Sequence, residues 1–401
     1  MSERKQIYLD NAATTAVWPE VVEAMLPYFT EQYGNPSSLY FFGQNAKNAI
    51  SDARARIAKH LNATTQDIYF TACGTESDNW ALKATADAYQ SKGRHIITSA
   101  IEHHAIVHST EWLAQQGYEI TYLPVDADGL IDPATLEAAI RPDTILVSII
   151  CANNEIGTLQ PIRELAAIAH AHGVLFHTDA VQAVAHLPID VVDLDVDMLS
   201  GSAHKFHGPK GVGFLYIRKG VRTRSFLHGG AQERKRRAGT ENVPGIVGMA
   251  AALDACMARF DQRVAHEVVL RDHLIDRVLA EVEHVRLNGH RTLRLPNNVN
   301  ISFEFVEGES LLLSLEQQGV LASSGSACAS GSLDPSHVLL AIGLPHEIAH
   351  GSLRLTLGEE TTIEDIDYTV EAIKQVVEQL RKMSPLFEDF VAGRKAVHAV
   401  K

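Results

Sequence analysis

Cysteine is scarce in this sequence, and long apolar runs and a positive net charge are missing. Only four of the 401 residues are cysteines and none stands in a C-x-x-C pair, which argues against a disulfide framework and a structural zinc site. No stretch approaches the ~20 apolar residues that span a bilayer, and the start MSERKQIYLDNAATT lacks the apolar segment of a signal peptide. These absences predict a globular protein of the reducing cytoplasm.

The charge balance is acidic throughout most of the chain. A formal net charge of -14 argues against nucleic acid as a main partner, because phosphate binding needs a basic surface. One basic run, ERKRR at residues 233–237, interrupts this trend. Such a run is typical of a solvated face, and the alternative is a local contact with an anion or another subunit.

Short apolar runs rich in β-forming residues alternate with amphipathic stretches in the first two thirds of the chain. The predicted strands cover residues 67–72, 95–100, 119–125, 144–150, 173–179, 197–202 and 211–217. Strands that alternate with helices predict an α/β fold whose mainly parallel sheet is covered by helices on both faces. Ligands of such sheets bind beyond the carboxyl ends of the strands.

The pattern changes after about residue 260. A strand is predicted at 296–305, a helix follows from residue 308, and a last amphipathic helix begins with a capping box from Thr361 to Glu364. We therefore expect a large domain at 15–260. A smaller α+β domain should consist of 1–14 and 261–401 and carry a mobile cysteine loop at about 322–333.

Two predicted strand ends carry polar residues that suit a phosphorylated cofactor. Gly74 and Thr75 follow the first strand and begin a helix, whose free N–H groups favour an anion. Asp179 ends a later strand, with Gln182 three residues on. Asp179 can pair with a protonated ring nitrogen and Gln182 with a phenolic oxygen, although ordinary helix capping would also explain both sites.

Two further strand ends carry basic residues. Ser202, His204 and Lys205 lie between a strand and a glycine-rich turn, where a lysine can form a Schiff base with an aldehyde. His103 and His104 follow another strand, and adjacent rings point in different directions. We therefore expect one functional ring and no catalytic metal, since the chain also lacks an H-E-x-x-H motif. The four strand ends together predict a pyridoxal phosphate pocket.

The fourth cysteine has unusual neighbours. Cys328 lies in SSGSACASGS, residues 323–332, where small side chains allow the backbone to move. A structural cysteine would have apolar neighbours, as we expect for Cys73, Cys151 and Cys256. The sequence therefore predicts that Cys328 is a reactive thiol.

Nine short motifs resemble those of one known family. They are YLDNAATT, NPSSL, CGTESDN, EHHAI, ANNEIG, HTDAVQAV, HKFHGPKGVG, RRAGTEN and SSGSAC. They extend over nearly the whole chain and resemble the NifS/IscS-type cysteine desulfurases, in the class V aminotransferase group of pyridoxal phosphate fold type I. RRAGTEN and CGTESD favour the nitrogen-fixation branch of that family.

This resemblance implies a role for each predicted site residue. Lys205 would hold the cofactor covalently, Asp179 would pair with its ring nitrogen, and Gln182 with its phenolic oxygen. His103 would stack on the ring and move protons. The phosphate would be held by Gly74, Thr75, Ser202, His204 and, from the partner subunit of a homodimer, Thr240. Asn154 and Arg354 would bind the substrate carboxylate.

The implied reaction is a cysteine desulfurase reaction. Cys328 would take sulfur from L-cysteine as a persulfide, leave L-alanine, and pass the sulfur to an acceptor such as an iron–sulfur scaffold protein. No resident metal is expected, although Cys328 could transiently ligate an iron–sulfur cluster. Two positions depart from the family pattern, Ala203 in place of glycine and Ala329 in place of threonine. A selenocysteine lyase, another class V aminotransferase and a non-enzymatic sulfur-relay scaffold remain alternatives.

Overall fold

The computed structural model describes residues 6–324 and 335–393. Cys328 and most of the predicted loop at 322–333 lie outside these residues. The strands of the described chain are β1 (Ile7–Tyr8), β2 (Ile68–Thr71), β3 (His95–Ser99), β4 (Glu119–Leu123), β5 (Thr144–Ile150), β6 (Leu175–Asp179), β7 (Met198–Ser202), β8 (Gly213–Ile217), β9 (Val285–Leu287), β10 (Asn298–Phe303), β11 (Val320–Leu321) and β12 (Ser352–Thr356).

Helices connect most of these strands. The α-helices of the described residues are α1 (Pro19–Met25), α2 (Pro27–Thr30), α3 (Phe41–His60), α4 (Gly74–Asn79), α5 (Thr85–Tyr89), α6 (His104–Gln115), α7 (Pro133–Ala139), α8 (Ile162–Ala171), α9 (Gln232–Lys235), α10 (Val243–Ala258), α11 (Phe260–Glu281), α12 (Gly308–Gln317), α13 (His337–Ala341), α14 (His346–Ala349), α15 (Ile363–Lys382) and α16 (Pro385–Val391). A π-helical turn, Trp80–Ala84, joins α4 to α5, and a 3₁₀ turn, Ala203–Lys205, follows β7.

The seven strands predicted in the first two thirds of the chain form one sheet. Its order is β2-β8-β7-β6-β5-β3-β4. The neighbouring pairs from β7 to β4 are parallel, whereas β8 runs antiparallel to both β7 and β2. The predicted mainly parallel α/β fold is therefore confirmed, and the carboxyl ends of β3, β5, β6 and β7 lie at one edge of the sheet.

Both faces of this sheet are buried. Alternate residues of a strand point to opposite faces, so Ile97 packs in the core formed with α1, α3 and α10, while Ile96 packs in the core around Trp80 and Ile106. Every residue of β5 is buried, as a central parallel strand requires. The sheet is a rigid support for the residues that follow its strand ends.

A second, smaller sheet has its own core. Strand β10 lies between β9 and β12 and is antiparallel to both, and β1 pairs in parallel with β11. Helices α11, α12 and α15 cover this region with apolar side chains such as Leu274, Leu311 and Ile373. Ile7 packs in the same core, so the N-terminal strand joins the second region.

Two sequence-based expectations need correction. The capping box of α15 is formed by Thr362 and Asp365, one residue later than predicted, because the Thr361 hydroxyl accepts from Gly358 N instead. The run at 233–237 is only partly a solvated face: Glu233 is buried and forms two hydrogen bonds with Arg54.

Among the described helices, none alone is long and apolar enough to cross a membrane, although α10 and α11 pass that test together as a pair bent by 72°.

Candidate active site

One cavity of about 380 Å³ lies at the carboxyl edge of the large sheet. Ten of the twelve residues predicted for the site line it. Thr240 does not, and Cys328 lies outside the described residues. Its lining residues are Ala12, Ala13, Cys73, Gly74, Thr75, Asp78, His103, Ile150, Asn154, Asp179, Val181, Gln182, Ser202, His204, Lys205 and Arg354. Those that follow strand ends of the large sheet converge because a parallel sheet places successive strand ends side by side.

Lys205 reaches this cavity from the 3₁₀ turn after β7. Its Nζ donates to Ala12 O at 2.6 Å and to Ala13 O at 3.0 Å, which holds the amino group at the N-terminal loop. Ala203, the departure from the family pattern, is buried without crowding this turn. A Cβ added at Gly208 would lie 2.8 Å from the Ala203 methyl, so the glycine at 208 provides the space.

Asp179 ends β6 and is buried in the cavity wall. Burial raises the pKa of its carboxyl to about 6, while the Val181 N–H and the charge of Lys205 oppose that rise. The Val181 N–H donates to Asp179 Oδ1 at 2.9 Å, which fixes the orientation of the carboxylate. A buried carboxylate with few other partners is suited to a cationic ring nitrogen.

His103 is the N-cap of α6, and its Nδ1 accepts from Ala105 N at 3.1 Å. The proton of the neutral ring therefore resides on Nε2. Burial, followed by the charge of Lys205, lowers the His103 pKa to about 4, so the ring is neutral near pH 7. His104 does not line the cavity, and its ring lies 5.0 Å from that of His337.

The phosphate-binding candidates surround the start of α4. Cys73 is the N-cap but forms no side-chain cap, and Ser202 Oγ is buried without a hydrogen-bond partner among the described residues. A Cβ added at Gly74 would lie 2.6 Å from Val181 Cγ2, which explains the glycine at this position. Exposed Thr75 lies beside it, and burial lowers the pKa of His204 to about 4.

The substrate-binding candidates, Arg354 and Asn154, line the same cavity. Arg354 donates from Nη1 to Asn154 O and from Nη2 to Asp10 Oδ1, both at 3.0 Å. Arg354 Nε and Asn154 Oδ1 are buried without hydrogen-bond partners in the described parts of the chain. A donor and an acceptor are thus available to the carboxylate and amino groups of an amino acid.

Sequence reasoning missed four residues of this site. Asp10, Ala12 and Ala13 belong to the motif YLDNAATT, which indicated the family without indicating any contact. Gln182 Nε2 also donates to Ala12 O, at 3.0 Å. Asp78 was missed because it looked like an ordinary polar residue of an amphipathic helix, although it is 1 % exposed.

Thr240 and the four cysteines are the remaining positions for which the sequence made a prediction. Thr240 lines a separate cavity of about 120 Å³ with Arg237, and its own chain does not bring it to the main cavity. Cys328 lies outside the described residues. Cys151 and Cys256 are buried as expected, with pKa values that burial raises to about 12, but the expectation for Cys73 was wrong, because it is partly exposed and lines the main cavity.

Comparison with known proteins identifies the family. The model of the family described as aminotransferase class-V matches residues 7–369. The chain belongs to this family. It is 58% identical over 385 residues to the protein named cysteine desulfurase IscS of Methanosarcina thermophila, covering 96% of this chain and 95% of that one.

Solved structures agree with this assignment. A NifS-like protein superimposes with a TM-score of 0.88 at 38% identity, covering 93% of this chain and 100% of that one. A protein named SspA, solved in complex with cysteine, superimposes with a TM-score of 0.78 at 36% identity, covering 88% and 99%. The predicted family and fold type are therefore confirmed. These names do not separate the nitrogen-fixation branch from the others, so the branch stays a prediction.

The cofactor of this class V family is pyridoxal phosphate, and the chain is a pyridoxal phosphate-dependent enzyme. The cavity fits that cofactor on its own evidence. It contains a lysine for the aldehyde and a buried carboxylate for the ring nitrogen. The Ser202 hydroxyl, which has no hydrogen-bond partner among the described residues, lies beside Gly74 at the start of α4, where a phosphate can bind.

Proposed function

We propose that the chain is a cysteine desulfurase that converts L-cysteine to L-alanine and transfers the sulfur to Cys328. The observation that carries this function is the shared cavity of Lys205, Asp179 and Arg354. It combines a lysine for the cofactor, a carboxylate for the ring and a guanidinium for an amino acid carboxylate. The names of the relatives support cysteine as that amino acid.

Each of these residues has a defined task in the proposal. Lys205 holds the cofactor and takes the proton from the substrate Cα once substrate is bound. Asp179 keeps the ring nitrogen protonated, and Gln182 contacts the phenolic oxygen. The cofactor supplies an electron sink that makes cleavage of the substrate C–S bond feasible.

His103 stacks on the cofactor ring but does not act as a base near pH 7. A pKa near 4 makes its imidazole a weak base at pH 7, and the proton on Nε2 makes it a hydrogen-bond donor. It can therefore donate to a substrate atom or to a thiolate without becoming charged.

The chain on either side of Cys328 is attached to the substrate side of the cavity. Ser323 exchanges two backbone hydrogen bonds with Arg354, Arg354 N donating at 2.7 Å and Ser323 N at 3.1 Å. Ser336 donates to Glu155 Oε2, next to Asn154. Cys328 follows Ser323 by five residues, a reach of about 17 Å at most. Both anchors support a thiol that acts at the substrate sulfur.

The transfer of sulfur to Cys328 needs no external oxidant or reductant. The Cys328 thiolate attacks the substrate sulfur, an S–S bond forms, and the C–S bond breaks. The electron pair of that bond goes to the substrate Cβ, which then takes up a proton and becomes the methyl group of L-alanine. Cys328 is left as a persulfide, which a sulfur acceptor removes, and an iron–sulfur scaffold protein is the acceptor that we expect.

Mass spectrometry after incubation with L-cysteine tests this proposal. We expect one added sulfur atom on the peptide that contains Cys328, and near-complete loss of alanine formation in Cys328→Ser. Cys73→Ser is the matched control, because the Cys73 thiol belongs to a residue that lines the cavity. The proposal is wrong if Cys328→Ser turns over L-cysteine at a near-wild-type rate.

The same variant separates the alternatives. An aminotransferase would be indifferent to Cys328→Ser, and a selenocysteine lyase would keep its activity on selenocysteine. A sulfur-relay scaffold without catalysis would form no alanine and would not bind pyridoxal phosphate.

We also propose a homodimer in which Thr240 contacts the phosphate of the partner subunit. Its position in a second cavity, away from Lys205, supports this arrangement. Arg237 forms two hydrogen bonds with Glu76, beside Thr75, so the segment before Thr240 is fixed near the start of α4. Light scattering should give twice the 43.8 kDa chain mass, and Thr240→Ala should retain the cofactor less tightly.

The division into two domains at 15–260 and at 1–14 with 261–401 is part of the same proposal, and the two separate cores support it. A cytoplasmic location stays a prediction from composition.

A further inference from the structure

Asp78 is a second buried carboxyl group in the cavity, and the reaction above gives it no task. It lies on α4, is 1 % exposed, and has an Oδ1 atom without a hydrogen-bond partner among the described residues. Single oxygens of Asp78 and Asp179 and a ring nitrogen of His103 lie within 4.8 Å of one another. Two buried carboxylates at this separation repel each other strongly if both are ionised.

Among the described residues, the charges that act most strongly on the Asp78 carboxyl are those of two other carboxyl groups, Asp179 and Glu102. The ring of His177 is also close, with its Nε2 3.8 Å from Asp78 Oδ1. Burial lowers the pKa of His177 to about 3, and its two ring nitrogens are already hydrogen bonded to the hydroxyls of Ser148 and Ser200. His177 is therefore neutral.

The two carboxyl groups differ in what stabilises their charge. Asp179 accepts from the Val181 N–H and is near Lys205. Burial, and then the charge of Asp179, raises the pKa of Asp78 well above its usual range, and Glu102 adds to that effect. The Ser200 hydroxyl opposes it only in part. The proton of the pair therefore belongs on Asp78.

We propose that Asp78 is a positioning residue that stays protonated beside Asp179, so that the pair carries a single negative charge located on Asp179. The negative charge on Asp179 then faces the cofactor ring nitrogen. This part of the inference rests on the proposed function. A neutral Asp78 can donate its O–H, whereas a charged one would compete with Asp179 for the ring proton.

Carbon-13 NMR of protein labelled at the aspartate carboxyl carbon tests this inference in the cofactor-free protein. Glutamates such as Glu102 do not contribute to that spectrum. We expect one buried aspartate to remain protonated at pH 7, and its signal to disappear in Asp78→Asn. Exposed Asp87, on the following helix, provides the control variant Asp87→Asn, which should leave that signal in place.

The variant Asp179→Asn distinguishes charge coupling from packing. Removing the Asp179 charge should lower the titration midpoint of Asp78 by at least one pH unit, a tenfold change in its acid constant. If Asp78→Asn does not fold, the signal is identified by this shift. A merely structural Asp78 would not respond in this way.

Cofactor affinity supplies a second measurement. In Asp179→Asn, Asp78 can ionise at alkaline pH and partly replace the lost charge. The double variant Asp78→Asn/Asp179→Asn should therefore bind pyridoxal phosphate at least tenfold more weakly at pH 9 than Asp179→Asn. An Asp78 signal that is deprotonated at pH 7, or equal affinities of the single and double variants, would overturn the inference. So would a wild-type spectrum that changes on removal of divalent cations, since a metal would then neutralise the pair.

Because the NMR measurement needs neither cofactor nor substrate, its result is independent of the desulfurase activity. Loss of the proposed function in the Cys328 test would leave the Asp78–Asp179 result standing, and the reverse also holds.

Discussion

The cavity has a sheet side, whose polar groups follow strand ends of the large sheet, and a second side, whose polar groups come from three separate segments of the chain. Asp179 ends β6, and Ser202 ends β7, three residues before Lys205. Arg354, by contrast, contacts Asn154 across 200 residues of chain and Asp10 across 344. The first side depends on one rigid sheet, and the second depends on how two cores pack together.

The two sides also differ in which buried polar atoms lack a hydrogen-bond partner among the described residues. On the sheet side, Ser202 Oγ is buried without a partner among the described residues, and so is available to the cofactor. On the other side, Arg354 already has Asp10 and Asn154 as partners, and only its Nε lacks one there. Substitutions on the sheet side should therefore remove cofactor chemistry, and those on the other side should change substrate affinity.

The largest effect is expected for Lys205→Ala. Because Lys205 is the only lysine among the described residues that line the cavity, the variant should lose the visible absorbance of covalently held cofactor and all alanine formation. An absorption spectrum and an alanine assay measure both. Lys210→Ala, at an exposed lysine nearby, is the matched control and should keep both. If Lys205→Ala still holds the cofactor covalently, a residue other than Lys205 forms that bond and the assignment of the sheet side is wrong.

Arg354→Ala should have the next largest effect, on the other side of the cavity. Loss of a buried, charged partner should weaken L-cysteine binding by about 2–5 kcal/mol, while the cofactor absorbance persists. Titration of the bound-cofactor spectrum with L-cysteine measures the affinity. The variant Arg354→Lys shows how much of that affinity depends on the forked guanidinium. Unchanged affinity would place the substrate carboxylate elsewhere.

Glu102→Gln should change stability on the sheet side as a function of pH. Burial raises the pKa of Glu102 to about 8, so its stabilising contribution is complete below the unfolded value near 4.5 and is lost as the pH rises through 8. Glutamine mimics the protonated acid and keeps the contacts with Ser99 and Ile150 N. The variant should melt several degrees above wild type at pH 9 and equally at pH 5. The assignment is wrong if the difference in melting temperature between variant and wild type is the same at pH 5 and pH 9.

The smallest effect is expected for Asp10→Asn. The variant removes one of the two anchors of Arg354 and keeps the contact with Asn154 O. The KM for L-cysteine should rise by less than tenfold, with an unchanged cofactor spectrum, because one partly exposed ion pair contributes about 1 kcal/mol. A loss as large as that of Arg354→Ala would show that Asp10 itself contacts the substrate.

Much of the fold was predictable because its signals are local. Each of the seven predicted strands of the large sheet is present, since a short apolar run between turns has few other stable conformations. The capping box of α15 was placed one residue early because Thr361 and Thr362 are adjacent and only packing decides which of them caps.

The candidate site divides in the same way. Asp179, Ser202 and Lys205 were found because the carboxyl ends of parallel strands meet at one edge, a rule that needs no coordinates. Arg354 and Asn154 were named through family resemblance, and nothing in their spacing indicated that they would touch. Cys73 was misjudged for a similar reason, since its exposure depends on the cavity that α4 helps to form.

The amino-acid sequence by itself determined the α/β architecture, the order of strands and helices along the chain and the polar residues at the strand ends, because periodicity and strand direction act over a few residues. Only the tertiary structure decided that Asp10 pairs with Arg354, that Lys205 donates to Ala12 and Ala13, and that Asp78 lies beside Asp179. Those contacts join residues far apart in the chain, and buried charges acquire their pKa values from such neighbours rather than from local sequence.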